Sequence, residues 1–253
     1  MKFMMVLLSL NLLLVGLSRC KEDLLENPVS LTDSQENELV AAELSQNSGG
    51  AMAEVSVLAQ VTREDFYSKN AAIDTSIAVR WVQLSLGMSF FRANGNEIPI
   101  FVPEFTDSMV VRAHLSGDTS FVGSNTTTTV NLNRRSQSFI SDILTAVHVL
   151  NGAGSDSSTY TLTGNDDAQN YTFRRRSTYS LNALTLPETS VNHIPTGGSI
   201  SGVAGGTFET LGISQSYSIP YEVFFDGSTT VTVEINGGAR SFTLNLLTGA
   251  ISG

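Results

Sequence analysis

The sequence predicts a mainly β protein, either an antiparallel β-sandwich or a large curled meander sheet, with a small helical segment near the N-terminus. Three observations carry this. From Tyr217 to Leu246 apolar residues fall at every second position: Tyr217, Ile219, Tyr221, Val223 and Phe225, then Val231, Val233 and Ile235, then Phe242, Leu244 and Leu246. Successive strand side chains point to opposite faces, so each run has one apolar and one polar face. Asp226-Gly227 and Asn236-Gly237-Gly238 separate the runs, and turns this tight join antiparallel neighbours. Upstream, strand candidates follow one another with no recurring βα alternation. Pro220 has no N–H to give to a ladder, so it belongs at an edge or a bulge.

In chain order, residues 33–46 are helical: Thr32, Asp33 or Ser34 can cap them, Leu39, Val40, Ala41, Ala42 and Leu44 form an apolar stripe, and Asn47-Ser48-Gly49-Gly50 ends them. Residues 51–61 fit two periods. Val55, Val57, Ala59 and Val61 alternate, whereas Val55, Leu58 and Thr62 fit a helix; the preferred reading is a short helical pair packed on the sheet. Strands are expected from Ile77, with Asn94-Gly95 as a hairpin turn and a return through Ile98 to Val102. More are expected at 109–115, 126–132, 143–150, 160–163, 171–175 and 178–186. Pro187 breaks the series, 193–198 forms a loop, and 199–211 makes two short glycine-rich strands. The Thr-rich runs have no fixed period, so this is not a repeat protein.

The chain begins with Lys2 and an apolar run from Phe3 to Leu17, too short for a spanning helix and read as a secretory signal over residues 1–19. The only cysteine stands at its end. Leu17-Ser18-Arg19-Cys20 resembles the bacterial lipobox, with Arg19 in place of the usual small residue. That resemblance implies that Cys20 is acylated and becomes the mature N-terminus. Lys21-Glu22-Asp23 resembles the surface-export signal of lipoproteins of the Bacteroidota, and Asp107-Ser108-Met109 resembles their O-glycosylation site. The expected division is a signal peptide over 1–19, a lipidated tether over 20–32, and a helical segment with one antiparallel β domain over 33–253. Loss of the leader removes two positive charges and no acid, moving the net charge from −10 to −12. Such a chain repels nucleic acid and anionic headgroups, so attachment would come from the acyl chains.

One cysteine excludes an internal disulfide framework and a cysteine metal site. His114, His148 and His193 lie in separate segments with no partner at ligand spacing, so no metal is expected. His148 reads as a half-buried strand residue and His114 as a solvated one. No P-loop, G-x-S-x-G or H-E-x-x-H motif is present, and no cofactor is expected. Asn165-Asp166-Asp167 and the other acidic turns suit turn geometry better than calcium. Arg134-Arg135 and Arg174-Arg175-Arg176 are basic spots that can grip carboxylate or phosphate. On a strand Arg174 and Arg176 share one face and Arg175 takes the other, which suits cross-strand pairing with acids equally well. Tyr160, Tyr171, Tyr179, Tyr217 and Tyr221 can line a carbohydrate-stacking surface or serve as ordinary strand residues. The candidate ligand contacts are Arg174, Arg176, Tyr171 and Tyr179.

These features imply a non-catalytic, membrane-anchored lipoprotein serving as a surface or periplasmic binding or structural module. Three alternatives stand: a glycan-binding accessory of an outer-membrane uptake system, a periplasmic assembly or lipid-handling lipoprotein, and a hydrolase with an unmarked active site. Expected partners are the membrane, through the acyl anchor, and a glycan or an outer-membrane protein.

Overall fold

The computed structural model describes residues 31–62, 74–79, 82–122, 126–164, 170–188, 193–210 and 212–252. The signal, lipobox and export residues, Cys20 included, lie outside that range, as does the acidic turn 165–167. The first elements are helices α1 (Asp33–Leu44) and α2 (Ala51–Val61). Thr32 caps α1: its hydroxyl accepts from the Gln35 N–H, and the Gln35 side chain accepts from the Thr32 N–H. Two donors with no partner inside the helix are thus satisfied reciprocally. The ambiguous segment 51–61 is helical, as preferred.

The strands are β1 (Asp74–Val79), β2 (Val82–Phe91), β3 (Glu97–Ile98), β4 (Ser108–Val122), β5 (Thr126–Ser141), β6 (Val147–Asp156), β7 (Thr159–Gly164), β8 (Tyr171–Arg175), β9 (Ser177–Pro187), β10 (Gly197–Thr210), β11 (Ile213–Phe224), β12 (Thr230–Ile235), β13 (Arg240–Asn245) and β14 (Ile251–Ser252). They form one antiparallel sheet, and strand accounts for 59% of the structure. The order is β1-β2-β4-β5-β6-β9-β10-β11-β12-β13-β14, with β3 on β2 and with β7 and β8 between β5 and β10. Of the two expected architectures, the curled meander is the one formed.

β6 and β7 are nearly continuous, broken only at Ser157-Ser158, and β8 and β9 are broken only at Arg176. Each pair acts as one long strand with a kink. The kinks stay in the ladder, because Ser157 N–H donates to Asn133 O at 2.9 Å and Arg176 N–H to Gly205 O at 2.8 Å. Side chains on β5, β9 and β13 bond to the two helices, and β10 and β11 run close to α1, so the sheet is curled around them. Val40, Leu44, Met52, Val55 and Leu58 join the inner face of the sheet in one core. The sheet supplies one covered face and the helices the cover.

Several expectations are corrected. Residues 133–141 continue β5, and 199–210 form one strand rather than two. The return after Asn94-Gly95 pairs only at Glu97–Ile98. Residues 142–146 form a turn, and pairing begins at Val147. Pro220 sits where the β11–β12 ladder ends: its carbonyl accepts from the Asn236 N–H at 2.9 Å, and the ladder proper covers Tyr221 to Val223. β11 is an interior strand and Pro220 stands opposite Val203 in the unshifted β10–β11 register, so it lies at neither an edge nor a bulge as expected, but just past the end of the β11–β12 ladder.

Candidate functional site

The inner face of the sheet is not uniformly apolar. Leu132 and Ile140 face inward on β5, so Arg134, Ser136 and Ser138 between them take the same face. Phe173 and Leu181 do the same for Arg175, Ser177 and Tyr179 across the β8–β9 kink. Opposite them the helical hairpin offers Glu43 near the end of α1 and Glu54 in the first turn of α2. The result is a sealed cluster of charge between helices and sheet.

Glu43 lies at its centre and bridges two arginines. Its carboxylate is 3.2 Å from Arg134 and 3.3 Å from Arg175, and it accepts from the Ser177 hydroxyl at 2.8 Å. Arg134 is 1% exposed and also donates to the backbone oxygens of Glu43 and Gly49 at the helix–helix turn. Asp156 lies 3.9 Å from Arg175 and accepts from the Ser158 N–H at 2.8 Å. The guanidiniums stack on tyrosines: Arg134 lies 4.8 Å from the Tyr179 ring centroid, and Arg175 lies 4.5 Å from that of Tyr160. Stacking of this kind is stronger when desolvated.

Glu54 differs in kind. Tyr179 and Ser138 donate to its carboxyl. Burial pushes its pKa up, against the opposing pull of these hydrogen bonds and of Arg134. A protonated Glu54 leaves Arg134 and Arg175 balanced by Glu43 and Asp156, so the cluster is neutral. A neutral, hydrogen-bonded cluster is the form in which buried charge is tolerated. Burial also raises the Tyr160, Tyr179 and Tyr221 pKa values, and pushes Tyr217 up to about 12. The rings need close approach: a Cβ on Gly154 would collide with the Tyr179 ring, and one on Gly202 with the Tyr221 hydroxyl.

The four candidate ligand contacts are not brought together. Arg174 and Arg176 are exposed on the outer face, and Arg174 lies 3.7 Å from Glu209 across the β8–β10 pair. Tyr179 is on the inner face, 3% exposed and committed to Glu54 and Arg134. The Tyr171 side chain lies outside the described atoms. Tyr160, Tyr217 and Tyr221 also turn inward, so these four tyrosines form no outer stacking surface. His148 is buried, with Nδ1 3.3 Å from Asp142 O, and His114 is half-buried, with Nε2 3.1 Å from Asn133 Oδ1. Among the described residues no three His, Cys, Asp or Glu side chains converge to hold a metal ion.

Two surfaces remain open. A shallow cleft of about 600 Å³ crosses the sheet, lined by Ser180, Ser201, Glu222 and Glu234 among others, with Glu222 directly opposite Glu234. At the end of the sheet holding the β2–β4, β5–β6 and β9–β10 connections, Ile100, Phe105, Leu144 and Val147 stand exposed. Leu31, where the described chain begins, lies at the opposite end, beside Phe208 and residues 215–218. No family model, curated protein or solved structure matches this chain.

Proposed function

We propose that the protein is a non-catalytic, membrane-anchored lipoprotein acting as a surface or periplasmic binding and structural module, held by an acylated Cys20 and exported through Lys21-Glu22-Asp23. One observation carries this reading. The helical hairpin and its charge cluster fill the inner face of the sheet, while apolar side chains stand out on loops at one end. The buried acids are committed to arginines, serines and a tyrosine, and lie sealed from any substrate. A lipid-handling protein would need a hollow where α1 and α2 sit. A glycan accessory would need aromatic rings on an open face, whereas Tyr160, Tyr179, Tyr217 and Tyr221 pack inward. Leu31, where the described residues begin, lies at the end of the sheet away from the exposed loops.

The test is metabolic labelling with a palmitate analogue in a member of the Bacteroidota, followed by protease shaving of intact cells. The reading expects label in the parent protein, none in Cys20→Ala, and loss of the parent on shaving if it is displayed outside. An unlabelled parent protein would overturn the anchor.

A further inference from the structure

The exposed apolar end is built rather than loose. In the connection between β2 and β4, Phe101 packs edge-on against Phe90 with centroids 5.8 Å apart. Thr106 is fully buried, and its hydroxyl accepts from the Val102 N–H at 2.9 Å. Phe105 and Thr106 N–H groups both donate to Val102 O, and Asp107 N–H donates to Phe91 O. The turn between β5 and β6 is tied to this connection by Ile143 N–H donating to Asp107 O at 3.0 Å. Ile100 and Phe105 in the first connection are 58% and 56% exposed, and Leu144 in the turn tied to it is exposed as well. A fixed apolar surface binds with little ordering cost.

Charge decides what fits there. Glu97, Glu104, Asp142 and Glu188 are exposed around these side chains, and Arg92, whose guanidinium lies 5.5 Å from the Phe105 centroid, is the cation among them. An anionic bilayer would be repelled, and a second copy would set these acids against their own kind. We propose that this end docks a protein whose contact face carries apolar side chains among lysines and arginines. The inference rests on reading the protein as a contact module and names its partner class.

The test uses the complete mature protein and two synthetic amphipathic peptides, one of leucine and lysine and one of leucine and glutamate, followed by fluorescence anisotropy. The leucine–lysine peptide should bind and its acidic twin should not. The double variant Phe105→Ser, Leu144→Ser should weaken binding about tenfold or more, the loss expected for removing two apolar anchors. Glu104→Lys with Asp142→Lys should weaken it severalfold, whereas Glu222→Gln with Glu234→Gln, in the remote cleft, should leave it unchanged. All six side chains are at least partly exposed, so unfolding temperatures should hold and confirm that each variant is folded. Equal binding of both peptides, or binding insensitive to Phe105 and Leu144, would overturn the proposal. So would a dimer that dissolves on those substitutions, or flotation with phosphatidylglycerol vesicles that is lost on those same substitutions. The palmitate experiment reads the anchor alone, so the two can fail separately.

Discussion

The β12–β13 hairpin and the central strands β5, β8 and β9 look onto the same pair of helices, and they are lined in opposite ways. Inward from β12 and β13 come Val231, Val233, Ile235, Phe242 and Leu244, all nearly inaccessible to water. Inward from the central strands come Arg134, Ser138, Arg175, Ser177 and Tyr179, equally buried. One half holds the helices by excluding water from apolar surface, which is strong and directionless. The other holds them by charge and hydrogen bonds, which are directional and fix where each helix sits. The hairpin half holds α1 by apolar packing with one charged tie at its rim, Arg240 to Asp33 and Glu36, while the central half accepts only an arrangement that places Glu43 between Arg134 and Arg175.

The largest expected effect follows from breaking the central half. Glu43→Gln leaves two buried guanidiniums with Asp156 as their remaining charged partner. Removing one member of a buried ion pair costs about 3–5 kcal/mol, and urea unfolding should show a loss of that order. An unchanged midpoint would mean that the cluster contributes nothing to holding α1. On the apolar side, Leu244→Ala empties a fully buried site, and such truncations cost about 2–5 kcal/mol. Its loss should not depend on pH, because Leu244 carries no charge.

Glu54 sharpens the comparison, because burial favours its neutral form. Its native pKa is raised by burial. Between the ordinary carboxylate pKa and that raised value the native state keeps a proton that the unfolded chain has lost. Stability therefore falls as pH rises through this window, and the penalty vanishes below the unfolded pKa. Glu38 on α1 adds to the same slope, its pKa pushed up to about 7 by burial. Glu54→Gln with Glu38→Gln should flatten unfolding temperature against pH, most visibly from about 4.5 to about 7, and a slope equal to the parent's would contradict the protonated assignment. The smallest effect belongs to Arg174→Ala. Its contact with Glu209 is exposed on both sides, and removing it should change stability by less than about 1 kcal/mol.

What the sequence made legible follows the same division. The β11–β13 meander was readable because alternation and apolar lining coincide there, from Tyr217 to Leu246. Residues 133–141 escaped because the inward positions of β5 hold Arg134, Ser136 and Ser138, and polar residues at the inward phase look like a loop. The sheet side of the cluster was nonetheless recoverable from phase alone: Leu132 and Ile140 bracket Arg134, and Phe173 and Leu181 bracket Arg175, at even spacing. The opposite faces of Arg174 and Arg175 were readable for that reason, and the pairing of Arg174 with Glu209 follows from it. Glu43 and Glu54 gave no such signal, since a helical acid is ordinarily solvated and only the sheet folded over it says otherwise. The exposed loops were hidden for a simpler reason. Ile100 and Leu144 sit in stretches that read as strands, 98–102 and 143–150, while Phe105 lies between expected strands among polar residues, and backbone hydrogen bonds close these loops with the side chains outward.

The most direct test is native-state hydrogen exchange resolved by residue, since the central claim is that the helical hairpin is half of the core. The account predicts that amides in the middle of α1 and α2 exchange only through the same global opening as β5 and β9, with matching free energies and denaturant dependence. Helices that open far more easily than the sheet, while β5 and β9 stay protected, would contradict it and make α1 and α2 an appendage.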